Sequence, residues 1–239
     1  MGQNLTTQYL NMTEEVADTR FSYRTGWPRL PVLPLQTSFL HGTGPLGQED
    51  VRETVVPYFV NIGQNIARIL IANGVRIENI HLCYRYNRGI PESVRRPTFL
   101  CYSDIQKAGQ EIEKWRRAVR QVVGMFKWRG LNNVAIEIAD HRVEQEIRTD
   151  VVDSEEAIDA WRDFAPRIQQ YIAKHEYVTM DVVRRFWIGA KEDAKATVVI
   201  SAKDANDSSW DDTLSLLRET LPSFFDVELI YLNTIHGIA

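Results

Sequence analysis

The sequence predicts an α/β (α+β) fold of two homologous αββαβ units related by a pseudo-twofold, with mixed sheets covered by helices. Three observations predict it. Apolar residues recur at helical spacing in four segments, and strand-like runs fill six others. The element order is helix, strand, strand, helix, strand, and the same five elements then follow again. A tryptophan opens the apolar stripe of the second helix in each half, at Trp115 and Trp210.

The first unit is predicted over residues 48–140. Its stripe of Trp115, Val119, Val122 and Phe126 marks one face of an α-helix. The run "PTFLCYS" is almost wholly apolar, which is typical of a strand covered on both faces. The predicted elements are a helix at 48–73, strands at 78–86 and 97–103, a helix at 108–129 and a strand at 133–139.

The second unit is predicted over residues 154–239 and repeats the same stripe with Trp210, Leu214, Leu217 and Leu221. The run "ATVVISA" takes the place of "PTFLCYS" as the strand that is covered on both faces. The predicted elements are a helix at 154–175, strands at 180–188 and 196–203, a helix at 208–221 and a strand at 226–232.

Direct alignment supports a duplication. Residues 49–67 align with residues 155–173 without a gap, and the segment "PTFLCYSD" aligns with "ATVVISAK". The alternative is that α/β proteins repeat helices and strands in general. Residues 1–47 are predicted to form an extended N-terminal arm that lies outside the repeat, and residues 141–153 a polar connector.

Composition gives no general reason to expect nucleic acid or an anionic membrane as partner, because the net charge is −4. No apolar stretch approaches the roughly 20 residues that span a bilayer, and the N-terminus lacks the apolar core of a secretion signal. The two cysteines, Cys83 and Cys101, are expected to be buried and reduced, with a disulfide between neighbouring strands as the alternative. We therefore expect a cytoplasmic or nuclear protein.

The N-terminal "MGQNLT" matches the short pattern for N-myristoylation, which would modify Gly2. The alternative is a chance match, because the pattern is loosely defined. A single myristoyl chain holds a protein to a membrane only weakly. A peripheral membrane protein is therefore expected only if Gly2 is acylated.

The stretch "HGTGPLGQED" spells G-x-G-x-x-G with Gly42, Gly44 and Gly47. A dinucleotide site needs a buried strand before the first glycine and an acidic residue about 20 positions later. Neither is present, and no Gly-Lys-Ser/Thr follows for a phosphate loop. The pattern favours a flexible turn leading into a helix.

The run "EKWRRAVRQVVGMFKWRG" is a basic helix with aromatic residues, suited to contact nucleic acid or another partner. The alternative is that these cations form the solvated face of a packed helix. The candidate contact residues are Lys114, Arg116, Arg117, Arg120, Lys127 and Arg129.

The element order also resembles the core of restriction-endonuclease-like folds, in which two carboxylates and a lysine position a metal-bound water. Here Lys203 follows the strand "VVISAK", but Ser201 stands where the acid is needed. A divergent site would require Lys203 to converge with a carboxylate such as Asp204 or Glu155. No other pattern indicates a catalytic, metal or cofactor residue.

The segments "RRPTFLCYSD…W…AVRQVV…VAIEIAD" and "KATVVISAKD…SSWDDTLSLLRE…VELIYL" resemble uncharacterised proteins of filamentous ascomycete fungi that carry duplicated α/β units. The resemblance covers about residues 95–235. It implies a fungal intracellular protein, and it supplies neither an activity nor a site residue.

These observations favour a non-catalytic binding or interaction protein, because neither predicted unit holds a complete catalytic set. The ligand is an unknown protein or small molecule, and the oligomeric state, including a homodimer, is open. The alternatives are a divergent or degenerate metal-dependent nuclease or phosphoesterase, and a myristoylated peripheral membrane protein.

Overall fold

The structure is a computed structural model, and its strands form two sheets that belong to two compact units. Unit 1 comprises Met1–Leu30, Gln36–Tyr86 and Ile90–Glu144; unit 2 comprises Pro31–Leu35, Asn87–Gly89 and Gln145–Ala239. The residues that the structure describes are 17–21, 23–40, 59–87, 89–91, 94–103, 110–140, 147–187 and 194–232.

Unit 1 holds a six-stranded mixed sheet in the order β1-β2-β6-β5-β4-β3. Only β5 and β6 are parallel neighbours, because helix α2 connects them. The elements are β1 (Asp18–Phe21), β2 (Arg24–Trp27), β3 (Gln36–Phe39), α1 (Phe59–Ala72), β4 (Asn79–Tyr86), β5 (Pro97–Tyr102), α2 (Gln110–Trp128) and β6 (Ala135–Ala139).

The core of unit 1 lies between the sheet and its two helices. Trp115 and Phe126 of α2 pack against Phe99 of β5 and Ile138 of β6, and all four side chains are buried. Residues 99, 101, 136 and 138 thus point toward the helices, and the alternation of side chains along a strand turns Leu100 and Glu137 to the opposite face.

Unit 2 holds a four-stranded mixed sheet in the order β10-β9-β8-β7. Again a helix connects the parallel pair, β9 and β10. Trp210 and Leu217 of α4 are fully buried, as are Val198 and Ile200 of β9. The elements are β7 (Ile147–Asp150), α3 (Glu155–Ile172), β8 (Tyr177–Trp187), β9 (Lys195–Ala202), α4 (Trp210–Thr220) and β10 (Phe225–Tyr231).

Two short segments from the N-terminal half complete unit 2. Asn206 joins them: its Oδ1 accepts from the Val32 backbone N–H at 2.8 Å, and its Nδ2 donates to Asn87 Oδ1 at 2.8 Å. Asn87 Nδ2 in turn donates to the Val32 carbonyl at 2.7 Å. The Tyr231 N–H at the end of β10 donates to the Leu33 carbonyl at 2.8 Å.

The structure confirms the α/β fold, and within the described residues the predicted helices and strands are present with small differences at their ends. Residues 48–58, the first part of the helix predicted over 48–73, lie outside the described residues. The sequence analysis missed four strands of four residues each: β1, β2 and β3 in the N-terminal arm, and β7 in the connector. Cys83 and Cys101 are buried free thiols. The duplication and the pseudo-twofold stay predictions.

Candidate functional site

The predicted basic run covers α2 and Arg129, the residue after it. Lys127 is half-buried and already interacts within the chain, and the other five cations divide into two groups. Near its start, Lys114 Nζ lies 2.7 Å from Glu111 Oε1, and Arg116 Nη1 lies 3.3 Å from Glu113 Oε1. These i,i+3 pairs neutralise the first turns of the helix.

Further along α2, Arg117 and Arg120 are exposed, and neither forms an ion pair with any residue in the described ranges. Trp128, the last residue of the helix, is 67% exposed, although the helix buries Trp115 completely. The guanidinium carbon of Arg129 lies 5.9 Å from the centroid of the Trp128 ring, within cation–π range. The exposed arginines are thus spread along α2, and one exposed aromatic ring lies beside the last of them, just past the end of the helix. We call Arg117, Arg120, Trp128 and Arg129 the cationic face of α2.

A buried charge cluster lies on the sheet of unit 1, on the face turned away from the helices. Glu137 of β6 is fully buried, and its Oε1 lies 3.0 Å from Arg24 Nε and 3.2 Å from Arg85 Nη2. Arg85 Nε also donates to Glu137 Oε2 at 3.3 Å, and its Nη1 donates to Thr37 Oγ1 at 2.6 Å. Two cations therefore share one carboxylate in a site without solvent.

Two opposing effects set the pKa of Glu137. Burial raises it, because the charged carboxylate loses its hydration, but Arg24 and Arg85 together outweigh burial. The pKa of Glu137 is therefore below its ordinary value of 4.5, and the group is ionised at neutral pH.

Unit 2 carries a similar pair at the equivalent place on its sheet. Arg185 of β8 and Glu228 of β10 lie on either side of β9, and their Nε and Oε2 atoms are 2.6 Å apart. These side chains are 15% and 21% exposed, whereas those of Arg85 and Glu137 are 2% and 0% exposed. Sequence reasoning missed both pairs, because an isolated arginine in a strand does not indicate its partner two strands away.

A polar cluster lies at the carboxyl end of β9 in unit 2. Asp204 Oδ1 accepts a hydrogen bond from Trp210 Nε1 at 3.0 Å, and Asp204 Oδ2 accepts one from the Glu176 N–H at 3.3 Å. His175 stacks on the Trp210 ring with centroids 3.8 Å apart, and its Nε2 lies 2.9 Å from Thr213 Oγ1. Its Nδ1 lies 3.7 Å from Asp204 Oδ2.

The order Thr213, His175, Asp204 is that of a nucleophile, a base and an orienting acid. However, Thr213 is 2% exposed, and its hydroxyl lies inside the core of unit 2. Burial lowers the pKa of His175, and the Asp204 carboxylate offsets this only in part, so the imidazole is neutral at pH 7. With a neutral imidazole, the cluster links the residues before β8 to the start of α4 through hydrogen bonds and ring stacking.

Lys203, the lysine of the nuclease hypothesis, borders an open groove of about 340 Å³ with Glu176, Tyr177 and Val178. The adjacent Asp204 uses both carboxylate oxygens within the protein. Glu155 lies in the exposed first turn of α3. Within the described ranges no three His, Cys, Asp or Glu side chains cluster as metal ligands.

The carboxyl ends of the parallel strands in unit 1 differ from those in unit 2. Ser103 follows β5 and Asp140 follows β6, and both are 1% exposed. Trp115 Nε1, Ser103 Oγ and Thr25 Oγ1 are buried atoms that have no hydrogen-bond partner within the described ranges, which leave out residues 104–109 after Ser103. No sequence motif marks these residues as a group, because they come from β2, the loop after β5, and α2.

Some predicted positions lie outside the described residues: Gly2 and the glycines at 42, 44 and 47. The motifs that involve them stay predictions. No helix in the described part of the chain has both the length and the apolar character that crossing a bilayer requires.

No known protein family, no curated protein and no solved structure matches this chain. The resemblance to the ascomycete proteins therefore stays a prediction.

Proposed function

We propose that this chain is a non-catalytic interaction protein that binds an acidic protein segment through the cationic face of α2. The observation that carries the proposal is Trp128, which is two-thirds exposed and lies beside an arginine guanidinium. Tryptophan and arginine are the residue types that dominate binding energy at protein interfaces, because they lose a large area to solvent and form charge-assisted contacts.

Charge favours an acidic protein segment over nucleic acid. The ion pairs at the start of α2 confine the exposed positive charge to Arg117, Arg120 and Arg129. The affinity of a protein for a nucleic acid grows with the number of phosphates that its cations neutralise. Three exposed cations in a chain of net charge −4 would therefore bind a nucleic acid only weakly. A short acidic peptide presents a few carboxylates, each of which can form a charge-assisted hydrogen bond with one of these arginines.

The test measures binding of a fluorescein-labelled oligoglutamate peptide and of a labelled DNA duplex by fluorescence anisotropy, at low and at physiological salt. We expect the full-length chain to bind the peptide, and the R117E/R120E and W128A variants to lose at least roughly tenfold in affinity. The matched control is R167E/K174E, which makes the same charge change at two exposed residues of unit 2.

Two results would contradict the proposal. One is equal peptide binding by the wild type and the R117E/R120E variant. The other is tighter binding of the duplex than of the peptide, which would favour the nucleic-acid interpretation. Cleavage of the duplex in the presence of Mg²⁺ would favour the nuclease hypothesis instead.

We further infer that the two units descend from one duplicated unit, and two features support this. Thr98 of β5 and Thr197 of β9 occupy matched registers and each donates its hydroxyl to the carbonyl two residues earlier, at 3.1 Å and 3.2 Å. The arginine–glutamate pair across the central strand recurs in both units. A relative that contains one unit alone and retains both features would test the inference, and relatives in which neither feature recurs would contradict it.

A further inference from the structure

The open groove of about 340 Å³ in unit 2 lies at the carboxyl end of β9. Glu176, Tyr177, Val178 and Lys203 line it, and all four residues are exposed. Small-molecule sites have volumes of roughly 300–1,000 Å³, and in open α/β sheets they commonly lie where parallel strands end. The volume and the position of this groove therefore suit one small molecule.

A β-bulge at the start of β8 brings two consecutive side chains to this groove. Tyr177 is the register partner of Ala202 and Thr179 is that of Ser201, so Val178 is an extra residue in β8. In a regular strand, alternation would turn the Tyr177 and Val178 side chains to opposite faces of the sheet. The bulge removes this alternation locally, and both side chains line the groove. They give it an apolar wall that is still 36% and 37% exposed.

Hydrogen bonds fix the backbone that carries these side chains. The Lys203 N–H donates to the Glu176 carbonyl at 3.2 Å, and the Glu176 N–H donates to Asp204 Oδ2 at 3.3 Å. Asp204 is held in turn by the buried Trp210, whose Nε1 donates to Asp204 Oδ1 at 3.0 Å. The groove is thus built on a fixed frame, which lowers the entropy cost of binding a ligand.

Two opposite charges border the groove and define the chemistry of its ligand. The Lys203 ammonium and the Glu176 carboxylate pair neither with each other nor with another residue of the described ranges. The nearby Asp204 uses both carboxylate oxygens within the protein, so Glu176 is the acidic group that faces a ligand in this groove. A ligand that carries one anionic and one cationic group can contact both side chains through charge-assisted hydrogen bonds.

We propose that this groove binds a free α-amino acid with an apolar side chain, such as leucine. The α-carboxylate contacts Lys203, the α-ammonium group contacts Glu176, and the side chain packs on Tyr177 and Val178. The two charges of the amino acid match the two charges of the groove, and its side chain covers apolar surface that is otherwise exposed to water. The groove shares no residue with the cationic face of α2, so this site is a further function and does not depend on the acidic-peptide proposal.

The experiment follows the backbone N–H resonance of Tyr177 in the full-length chain labelled with ¹⁵N-tyrosine, while L-leucine is added to high millimolar concentration. The Y177F variant assigns the resonance, and we expect L-leucine to shift it in a saturable way. N-acetyl-L-leucine lacks the cation and L-leucinamide lacks the anion, so each should bind roughly tenfold more weakly, which is the effect of one charge-assisted hydrogen bond. Glycine should also bind more weakly than L-leucine, because it has no apolar side chain.

Substitution of the charged residues tests which end of the ligand each one contacts. We expect K203Q to weaken L-leucine binding roughly tenfold and to leave L-leucinamide binding unchanged, because the amide has no carboxylate for Lys203. E176Q should in the same way weaken L-leucine binding and spare N-acetyl-L-leucine. The matched control is K195Q at the opposite end of β9, where Lys195 is 58% exposed and lies 3.8 Å from Asp226; its affinity for L-leucine is expected to equal that of the wild type.

Three outcomes would overturn the proposal: no saturable shift of the Tyr177 resonance with L-leucine, a K203Q affinity equal to that of the wild type, or an equal loss of affinity in K203Q and K195Q. Binding of N-acetyl-L-leucine or L-leucinamide as tight as that of L-leucine would also overturn it, because the groove would then recognise one end of a peptide and not a free amino acid. None of these readouts involves the cationic face of α2, so failure here is distinguishable from failure of the acidic-peptide proposal.

Discussion

Replacement of Glu137 by glutamine removes a buried charge and keeps the shape of the side chain. In the wild type one carboxylate serves Arg24 and Arg85, and all three side chains are almost completely buried. The amide of glutamine carries no charge, so both guanidinium groups would stay buried without a counter-charge. We expect the E137Q variant to be strongly destabilised.

The complete burial of this ion pair sets the expected loss of unfolding free energy in E137Q. Breaking a buried ion pair by removing one partner costs about 3–5 kcal/mol, because an uncompensated charge is left in the interior. Whole domains are stable by only about 5–15 kcal/mol. With a urea dependence of about 2 kcal/mol per M, E137Q should lower the unfolding midpoint of unit 1 by about 2 M.

Unit 2 supplies the control. The Glu228 side chain is 21% exposed and accepts two hydrogen bonds from Arg185 alone, so E228Q should cost less than E137Q, about 1–3 kcal/mol. Urea unfolding of the wild type, E137Q and E228Q, followed by circular dichroism, measures the difference. Equal midpoints for E137Q and E228Q would refute the reasoning.

The low pKa of Glu137 adds a dependence on pH with a definite sign. Burial raises this pKa, but the two arginines lower it further, so the folded value lies below the ordinary 4.5. The unfolded chain then takes up the proton first, and the stabilisation is present above pH 4.5 and is lost as the pH falls below it. The E137Q variant should lack this part of the acid dependence.

Three more predictions concern other parts of the chain. G26A should destabilise unit 1 by about 1–3 kcal/mol, because a Cβ at Gly26 would meet a backbone carbonyl. G63A should stabilise unit 1 by up to about 1 kcal/mol, because open space surrounds that helical glycine. Thermal melts of both variants measure these changes, and a higher melting temperature for G26A than for the wild type would contradict the prediction. Burial lowers the pKa of His175 below 6.5, so unit 2 should lose stability as the pH falls below that value. Urea titrations at several pH values measure this loss, and the H175Q variant should not show it. Burial raises the pKa of the Cys101 thiol, and the Cys83 thiol is also buried. Neither thiol should therefore react with a disulfide reagent before the chain unfolds. Rapid reaction of the native chain would contradict this prediction.

The sequence predicted the long elements well because their side-chain patterns are set by burial. The stripe from Trp115 to Phe126 has one apolar face, and the structure places that face against the sheet. The short strands could not be predicted in the same way. Strand β2, for example, reads "RTGW": its arginine is buried by an ion pair, and its glycine is required by a close approach of the neighbouring strand.

The candidate sites were predicted less well, for the same physical reason. The cations of α2 are adjacent in sequence, so a helical pattern reveals them together. In contrast, Arg24, Arg85 and Glu137 lie far apart in the sequence, and they meet only after the sheet of unit 1 has formed. Their shared property, a buried ion-paired cluster, exists only in the folded chain.

The amide side chain of Asn206 forms hydrogen bonds with Val32 and Asn87, and these bonds affect when unit 2 can fold during translation. Unit 2 cannot be excised as one continuous stretch of the gene, because a fragment that begins at Gln145 lacks Pro31–Leu35 and Asn87–Gly89. On the ribosome these two segments emerge long before Asn206 is translated. Completion of unit 2 must therefore wait until nearly the whole polypeptide has been made.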